Sequence, residues 1–232
     1  MELTEAIKAR HSVRRYKNQA IEKEALEALT TEIEACNREG GLHVQLVTNE
    51  PEAFNGFMAH YGKFSGVTDY IALVGKKSAD LEEKCGYFGQ RLVLKAQQLG
   101  LNTCWVAMTY KKIPGAFQVA QGEKLTVVIA LGYGETQGVA HKTKTAEQVS
   151  NVSDKTPAWF RAGVEAALLA PTAMNQQKFK LTYADGKVTA KAGMGFYTKL
   201  DLGIVKYHFE IGAGRKFERS AKKFKKIDAE RN

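Results

Sequence analysis

The sequence predicts an α+β fold in which helices flank sheets and two similar halves share one chain. Runs with apolar residues every three or four positions alternate with short strand-like runs, a pattern typical of this class. The order of helix, strand, strand and a further helix then recurs. In that recurrence the segments KCGYFGQRLVLKA and DLGIVKYHFEIGA align so that Gly86 pairs with Gly203. We therefore expect a first half over residues 1–150 and a shorter second half over residues 151–232.

The first half is predicted to contain three helices and four strands. The longest helix runs from Leu81 to Leu99 with its apolar residues on one face, and it closes on Gly100. The segment LHVQLVT alternates as a half-buried strand does, whereas TDYIALVG and LTVVIALGYG are continuous apolar runs, typical of strands covered on both faces. The predicted helices are residues 2–10, 21–36 and 81–99, and the predicted strands are residues 42–48, 68–75, 101–107 and 125–134.

The second half begins with a helix and continues through a hairpin to another helix. Thr156 is placed to cap the first helix, with Pro157 at its first position, and the helix ends at Ala170-Pro171. Two alternating runs then flank Ala184-Asp185-Gly186, which predicts a tight β-hairpin turn. The segment TKLDLGIVKYHFEIGA has the apolar spacing of the last helix.

Composition excludes several classes of protein. The chain has 232 residues, 44% of them hydrophobic, and no apolar run long enough to cross a bilayer. The N-terminus lacks the apolar centre of a secretion signal, so we expect a cytoplasmic protein without a membrane partner. Three widely spaced cysteines form no CxxC pattern and the histidines have no ligand-like spacing, so neither a disulfide framework nor a metal site is indicated. No G-x-G-x-x-G loop opens a helix, which argues against a Rossmann site.

The net charge of +9 is concentrated at the C-terminus. Residues 215–232 carry eight Lys or Arg against three acids. Within this tail Phe217, Ala221, Phe224 and Ile227 recur at helical spacing, so one interpretation is a docking helix with solvated lysines. The other is a surface for a polyanion or a partner protein. The scarcity of stacking aromatic residues counts against a nucleic-acid-binding module.

Two stretches carry residues suited to binding an anion. In RHSVRR the side chains of Arg10, Ser12 and Arg14 would point the same way if the segment is extended. Two guanidinium groups and a hydroxyl suit a phosphate dianion. Lys142 and Lys144 in HKTKT alternate in the same way. Short basic runs beside a helix or loop are usually solvated, so neither stretch alone indicates a phosphate site.

A third stretch, LLAPTAMNQQKF, places a polar corner at the end of an apolar helix. Thr172, Asn175, Gln176 and Gln177 follow Pro171 in quick succession. Their amide groups donate and accept hydrogen bonds in one plane. Such a corner suits a flat ligand with a polar edge.

Together these stretches resemble the flavin-dependent nitroreductase family. The resemblance rests on IKARHSVRRY, LGLNTCWVA, IALGYG followed by HKTKT, and APTAMNQQKF, in this order along most of the chain. It implies a nitroreductase-like fold and bound FMN, with a basic segment on its phosphate, and a tryptophan turn and a polar corner beside its ring. Without the resemblance, a tryptophan such as Trp105 is more often a core residue than a cofactor contact. The residues implied to bind the cofactor are Arg10, His11, Ser12, Arg14, Trp105, Val106, Ala107, Lys142, Lys144, Pro171, Thr172, Ala173, Asn175 and Gln177.

One departure from the family pattern is informative. Ordinary members carry the polar corner a few dozen residues after the basic segment, where this chain reads EACNREGGLHV. Because such proteins are dimers with shared flavin sites, the arrangement resembles a divergent tandem branch in which one chain forms a fused pseudo-dimer. The pseudo-dimer would be monomeric or would associate into a further homodimer.

The resemblance implies an NAD(P)H-dependent oxidoreductase acting on nitroaromatics, quinones or similar electron-poor acceptors. Flavin carries out the hydride chemistry in such proteins, so no catalytic side chain is predicted. Two alternatives stay open at this stage. One is a flavin-binding protein without turnover, and the other is the basic nucleic-acid-binding protein that the tail suggests.

Overall fold

A computed structural model gives the architecture and describes residues 1–217. This part of the chain contains seven α-helices, a four-stranded sheet and a separate hairpin, which confirms the predicted α+β class. The helices are α1 (Leu3–Ala9), α2 (Lys23–Gly40), α3 (Phe57–Tyr61), α4 (Leu81–Gln98), α5 (Ala146–Val149), α6 (Ala158–Leu168) and α7 (Thr198–Ala213). The strands are β1 (Gln45–Val47), β2 (Asp69–Lys76), β3 (Asn102–Val106), β4 (Glu123–Gly132), β5 (Phe179–Ala184) and β6 (Lys187–Ala192).

The four strands of the main sheet are antiparallel and follow the order β1-β2-β4-β3. Alternate side chains of a strand point to opposite faces. Ile71 and Leu73 of β2 therefore join one hydrophobic core, whereas Tyr70 and Ala72 join a second. Because both faces are covered, β2 is a continuous apolar run, as its sequence indicated.

The larger core contains residues from both sides of residue 150. Leu29 and Ile71 from the N-terminal part pack in it together with Phe160, Leu181 and Phe209 from the C-terminal part. All five side chains are almost fully buried. The two predicted halves therefore share one core.

Helices α4 and α7 cross in direct backbone contact at two glycines. A Cβ at Gly86 would lie 2.0 Å from the carbonyl oxygen of Leu200, and one at Gly203 would lie 2.0 Å from that of Glu83. Gly86 thus contacts the residue three positions before Gly203, and Gly203 contacts the residue three positions before Gly86. Such a reciprocal contact is typical of two elements related by a two-fold axis. Any side chain at either position would hold the backbones apart. The two glycines that the sequence alignment paired are the two at this crossing.

Helix α6 begins later than the sequence indicated. Its N-cap is Pro157 and its first helical residue is Ala158. The Thr156 hydroxyl donates to the carbonyl of Ser153 at 2.7 Å and accepts from the N–H of Ser153 at 3.1 Å. The prediction of Thr156 as the cap was wrong because a local turn engages the hydroxyl.

Only the start of the basic tail lies within the described residues. Phe217 packs its ring 5.1 Å from that of Phe209, at the edge of the larger core. The remaining positions of the predicted docking helix, Ala221, Phe224 and Ile227, fall outside the described part. Within residues 1–217, no helix has both the length and the apolar character needed to cross a bilayer.

Candidate functional site

A cleft of about 580 Å³, including the space open to solvent, opens where distant parts of the chain meet. Its walls come from the segment after α1, from strands β3 and β4, from the turn after α6 and from the start of α7. The lining residues are Ser12, Arg14, Cys104, Trp105, Val106, Ala107, Val127, Pro171, Thr172, Ala173, Met174, Tyr197, Leu200, Asp201 and Ile204.

The segment after α1 is extended alongside β3, which is the condition under which its alternate side chains point the same way. Ser12 forms a parallel bridge with Thr103, and the N–H of Val13 donates to the Thr103 carbonyl at 3.1 Å. Alternation buries Val13 and directs Ser12 and Arg14 into the cleft. Arg14 is exposed, with its guanidinium carbon 6.0 Å from the centre of the Phe64 ring. A hydroxyl and a cation therefore stand side by side at this end of the cleft.

Arg10 is buried behind the wall of the cleft instead of lining it. Its side chain is 3% exposed, and among the described residues its Nε has no hydrogen-bond partner. Burial lowers its pKa to about 10, so the group stays charged at neutral pH. Burial and then the charge of Arg10 lower the pKa of His11. Because no carboxylate within residues 1–217 pairs with Arg10, its buried charge makes the cleft more attractive to an anion.

Trp105 forms one wall, and a buried chain of hydrogen bonds fixes its indole. Its Nε1–H donates to Oε1 of Gln90 at 3.1 Å, so Nε2 of Gln90 donates to Nε2 of His208 at 2.8 Å. Nδ1 of His208 then carries the proton and donates to the Ala166 carbonyl at 3.0 Å. Burial lowers the pKa of His208 to about 3, which keeps the ring neutral. Gly89 provides the space, because a Cβ there would lie 2.5 Å from the indole.

The polar corner has a strained backbone. Met174, Asn175 and Gln177 have φ values of 50°, 52° and 45°, in the left-handed region that residues other than glycine rarely adopt. The N–H of Gln177 donates to the Thr172 hydroxyl at 3.0 Å, which helps to hold this shape. Strain of this kind persists only where surrounding contacts fix it, and it is concentrated at functional sites.

The amide side chains of the corner bind the lysine segment instead of facing the cleft. Asn175 and Gln177 both donate to the carbonyl of Lys142, at 2.9 and 2.7 Å. The N–H of Lys144 donates to Oε1 of Gln177 at 2.9 Å, and its Nζ donates to the Gln177 carbonyl at 2.9 Å. The corner and the lysine segment are thereby joined into one rim.

Asp201 is a buried carboxylate in the cleft that the sequence reasoning missed. It is 2% exposed and lies in the first turn of α7. Its oxygens accept from the N–H of Ala173 at 3.0 Å and from Nε2 of Gln176 at 2.8 Å, so it ties the corner to α7. Burial raises its pKa to about 6 against the opposing effect of these hydrogen bonds. The sequence carried one sign of this residue, which is an acidic side chain between the apolar neighbours Leu200 and Leu202.

Eight of the predicted cofactor residues line the cleft. They come from three separate parts of the chain: Ser12, Arg14, Trp105, Val106, Ala107, Pro171, Thr172 and Ala173. Arg10, His11, Lys142, Lys144, Asn175 and Gln177 are not in its lining. Tyr197, Met174 and Cys104 line it without having been predicted.

One family model matches the chain over most of its length. The model of a family described as "Putative TM nitroreductase" matches residues 2–213. Comparison with curated proteins gives no match.

Three solved structures have a similar fold. A "putative nitroreductase" from Thermotoga maritima is 21% identical with a TM-score of 0.65, over 93% of this chain and 87% of its own. A "putative NADH dehydrogenase/NAD(P)H nitroreductase" from Parabacteroides distasonis is 22% identical with a TM-score of 0.51, over 63% and 95%. A "putative nitroreductase in complex with FMN" from Desulfovibrio desulfuricans is 16% identical with a TM-score of 0.50, over 68% and 99%. At these identities the likeness shows the fold, which is nitroreductase-like as predicted.

Proposed function

The chain belongs to the family described as "Putative TM nitroreductase", and on that premise we propose that it is an FMN-dependent oxidoreductase. We propose NAD(P)H as its reductant and nitroaromatics, quinones or related electron-poor compounds as its acceptors. The similar fold from Desulfovibrio desulfuricans, described in complex with FMN, supports the choice of cofactor. The similar fold from Parabacteroides distasonis, described as an NADH dehydrogenase or NAD(P)H nitroreductase, supports the choice of reductant.

The observation that carries the proposal is the meeting of three distant segments in one cleft. Ser12 and Arg14 supply a hydroxyl and a cation at one end, where a phosphate would find charge-assisted hydrogen bonds. Trp105 and Pro171 supply apolar surface. The buried charge of Arg10, whose Nε has no hydrogen-bond partner in the described part of the chain, adds positive potential that suits the same anion. These residues fit the phosphate and the ring of FMN.

The protein's contribution would be position and electrostatics, since the hydride chemistry belongs to the flavin. The hydrogen-bond chain through Gln90 and His208 holds Trp105 rigid, so the wall offers a fixed surface to a flat ring. Asp201 holds the strained corner by accepting from Ala173 and Gln176. The lining is thus held by hydrogen bonds within the chain.

We further propose that the chain is a fused pseudo-dimer with halves at residues 1–150 and 151–232. The reciprocal contact of Gly86 and Gly203 supports this, because each helix presents the same position to the other. The positions of Arg14 and Pro171, from opposite halves of the chain, support a site shared between halves.

The flavin spectrum of the purified protein tests the proposed cofactor. We expect a yellow preparation, or one that becomes yellow on adding FMN. Arg14→Ala should weaken FMN binding roughly 10- to 150-fold, which corresponds to about 1.5–3 kcal/mol for one hydrogen bond to a charged group. Arg15→Ala is the matched control: its side chain is 68% exposed, pairs with Glu135 and lies outside the cleft lining, so its Kd should be unchanged.

Two outcomes would contradict the proposal. A protein that stays colourless in excess FMN would refute the cofactor, and equal losses in Arg14→Ala and Arg15→Ala would refute the phosphate assignment. Turnover is measured separately as NADH or NADPH oxidation dependent on a nitroaromatic or quinone. If flavin is bound but no acceptor raises the rate, the protein binds flavin without turnover.

A further inference from the structure

The large apolar side chains that this protein exposes are gathered near the cleft. Of the ten that are exposed within the described residues, eight lie on five segments beside it. The segments are residues 53–66, 107–118, 137–145, 171–178 and 193–199, and together we call them the mouth face. The eight side chains are Phe57, Met58, Tyr61, Met108, Val139, Met174, Met194 and Phe196, and their exposed fractions range from 43% to 93%.

The five segments adjoin one another. Gly62 packs against Thr109, where an added Cβ would lie 2.7 Å from the threonine side chain. Gln176 donates to the backbone carbonyl of Phe196 at 2.8 Å. The lysine segment is joined to the corner by the amide hydrogen bonds described above. Three of the segments also line the cleft directly, through Ala107, residues 171–174 and Tyr197.

The mouth face is also uniformly basic. Its five segments contain no Asp or Glu, although the whole chain has 25 acids in 232 residues. They carry seven lysines, all exposed: Lys63, Lys111, Lys112, Lys142, Lys144, Lys178 and Lys199. Within residues 1–217 none of these lysines forms an ion pair with a carboxylate. Their charge is therefore available to an external anion.

We propose that the mouth face docks onto an anionic lipid bilayer, although the sequence predicted no membrane partner. Lysines attracted to acidic headgroups, together with aromatic and thioether side chains that enter the acyl boundary, are the two features of interfacial membrane binding. A second copy of this chain is disfavoured, because a symmetric contact would place seven lysines against seven. Three of these side chains lie on the five-residue helix α3, and the others lie on turns and loops.

Docking in this way would direct the mouth of the cleft at the bilayer. This consequence rests on the proposed function. If the protein is such an oxidoreductase, its acceptor would be a lipid-soluble, electron-poor ring compound such as a quinone. The docking itself needs no flavin. It therefore fails or succeeds independently of the proposed activity.

Co-sedimentation of the full chain with vesicles tests the proposal. We expect binding to vesicles of phosphatidylcholine mixed with phosphatidylglycerol, and little to phosphatidylcholine alone. Binding should weaken as salt rises from about 0.1 to about 1 M, where the Debye length falls from about 10 to about 3 Å. Each lysine near an anionic surface contributes about fivefold, so Lys111→Glu with Lys112→Glu should lower the partition coefficient by about 25-fold or more.

Matched variants separate the mouth face from the rest of the chain. Lys8→Glu with Lys17→Glu makes the same charge change at exposed positions outside the mouth face, and it should bind several-fold more tightly than Lys111→Glu with Lys112→Glu. Met194→Ser with Phe196→Ser should also weaken binding at least tenfold, on the order of what burying two such side chains contributes. Circular dichroism shows that each variant is folded.

Several results would overturn the proposal. The proposal is wrong if the protein does not bind vesicles or binds neutral and anionic vesicles equally. It is also wrong if the Lys111→Glu, Lys112→Glu variant and the Lys8→Glu, Lys17→Glu variant lose binding to the same extent. Binding could also disappear on deleting residues 218–232 while the mouth-face variants bind normally, which would assign it to the basic tail. Retention on an immobilised acidic protein without any vesicle binding would assign the face to a protein partner.

Discussion

Replacing Gly203 with alanine should destabilise the whole protein, because Gly203 lies where helices α4 and α7 touch. The added Cβ would lie 2.0 Å from the carbonyl oxygen of Glu83 and 2.6 Å from the amide nitrogen of Tyr87. Both are backbone atoms and cannot rotate away. Since contacts under 3.0 Å essentially do not occur for Cβ atoms, the helices must separate by roughly 1 Å or more.

The expected loss in free energy of unfolding is about 2–4 kcal/mol. Alanine gains up to about 1 kcal/mol over glycine in helix propensity. Against that, a gap of about 1 Å forfeits up to half of the dispersion energy across the contact, and overpacking a core typically costs about 1–3 kcal/mol or more. α7 contributes ten buried residues, so much of the larger core is affected. For a chain of this size the melting temperature should fall by roughly 5–15 °C.

Urea unfolding followed by circular dichroism measures this loss. Gly56→Ala is the control, because an added Cβ meets nothing within 4 Å and the backbone there is extended. Its stability should stay within about 1 kcal/mol of the wild type. Gly86→Ala should cost about as much as Gly203→Ala, and the double variant should cost less than their sum because one separation relieves both clashes. A Gly203→Ala protein as stable as the wild type would refute the geometry of the crossing.

Three further predictions concern Asp201, Gln90 and Gly186. Because burial raises the folded pKa of Asp201 to about 6, the folded state binds this proton more tightly than the unfolded state, and stability falls as the pH rises from about 4 to about 6. Asp201→Asn should remove that slope, measured by urea unfolding at several pH values, and an unchanged slope would contradict the assignment. Gln90→Leu leaves buried polar atoms of Trp105 and His208 without partners, which should cost about 1–3 kcal/mol each. It should also shift the emission of a variant whose only tryptophan is Trp105, and unchanged emission would argue against a positioning role. Gly186→Ala should cost about 1–2 kcal/mol, because Gly186 has φ of 77° in the hairpin turn; a neutral result in thermal unfolding would contradict the turn geometry.

Most elements of the fold could be predicted from the sequence because their causes are local. Apolar spacing predicted α4 and α7 to within a residue or two of Leu81–Gln98 and Thr198–Ala213. The turn at Asp185-Gly186 follows from two adjacent positions that adopt positive φ. The start of α6 was misplaced because a hydroxyl such as that of Thr156 can satisfy either a helix end or a turn, and only the neighbouring backbone decides between them.

The candidate site was only partly predictable. The extended pattern after α1 correctly placed Ser12 and Arg14 on one side, but Arg10 of the same pattern is buried. The amides of Asn175 and Gln177 were assigned to a ligand from their chemistry, whereas the structure shows them bound to the lysine segment. Hydrogen-bond capacity is a property of the side chain, but which partner meets it depends on what the fold places nearby.

By itself the sequence determined the class of fold, the course of its helices and strands and the short stretches that resemble a flavoprotein family. These are matters of periodicity, turn chemistry and motif, which act within a few residues. Only the tertiary structure decided that three of the stretches line one cleft while the lysine segment lies beside it, that Asp201 lies in the cleft, and that lysines and apolar side chains from five segments lie around it. The reason is that a contact between residues about 100 positions apart depends on how the larger core packs. The spacing of residues within one segment carries no information about such a contact.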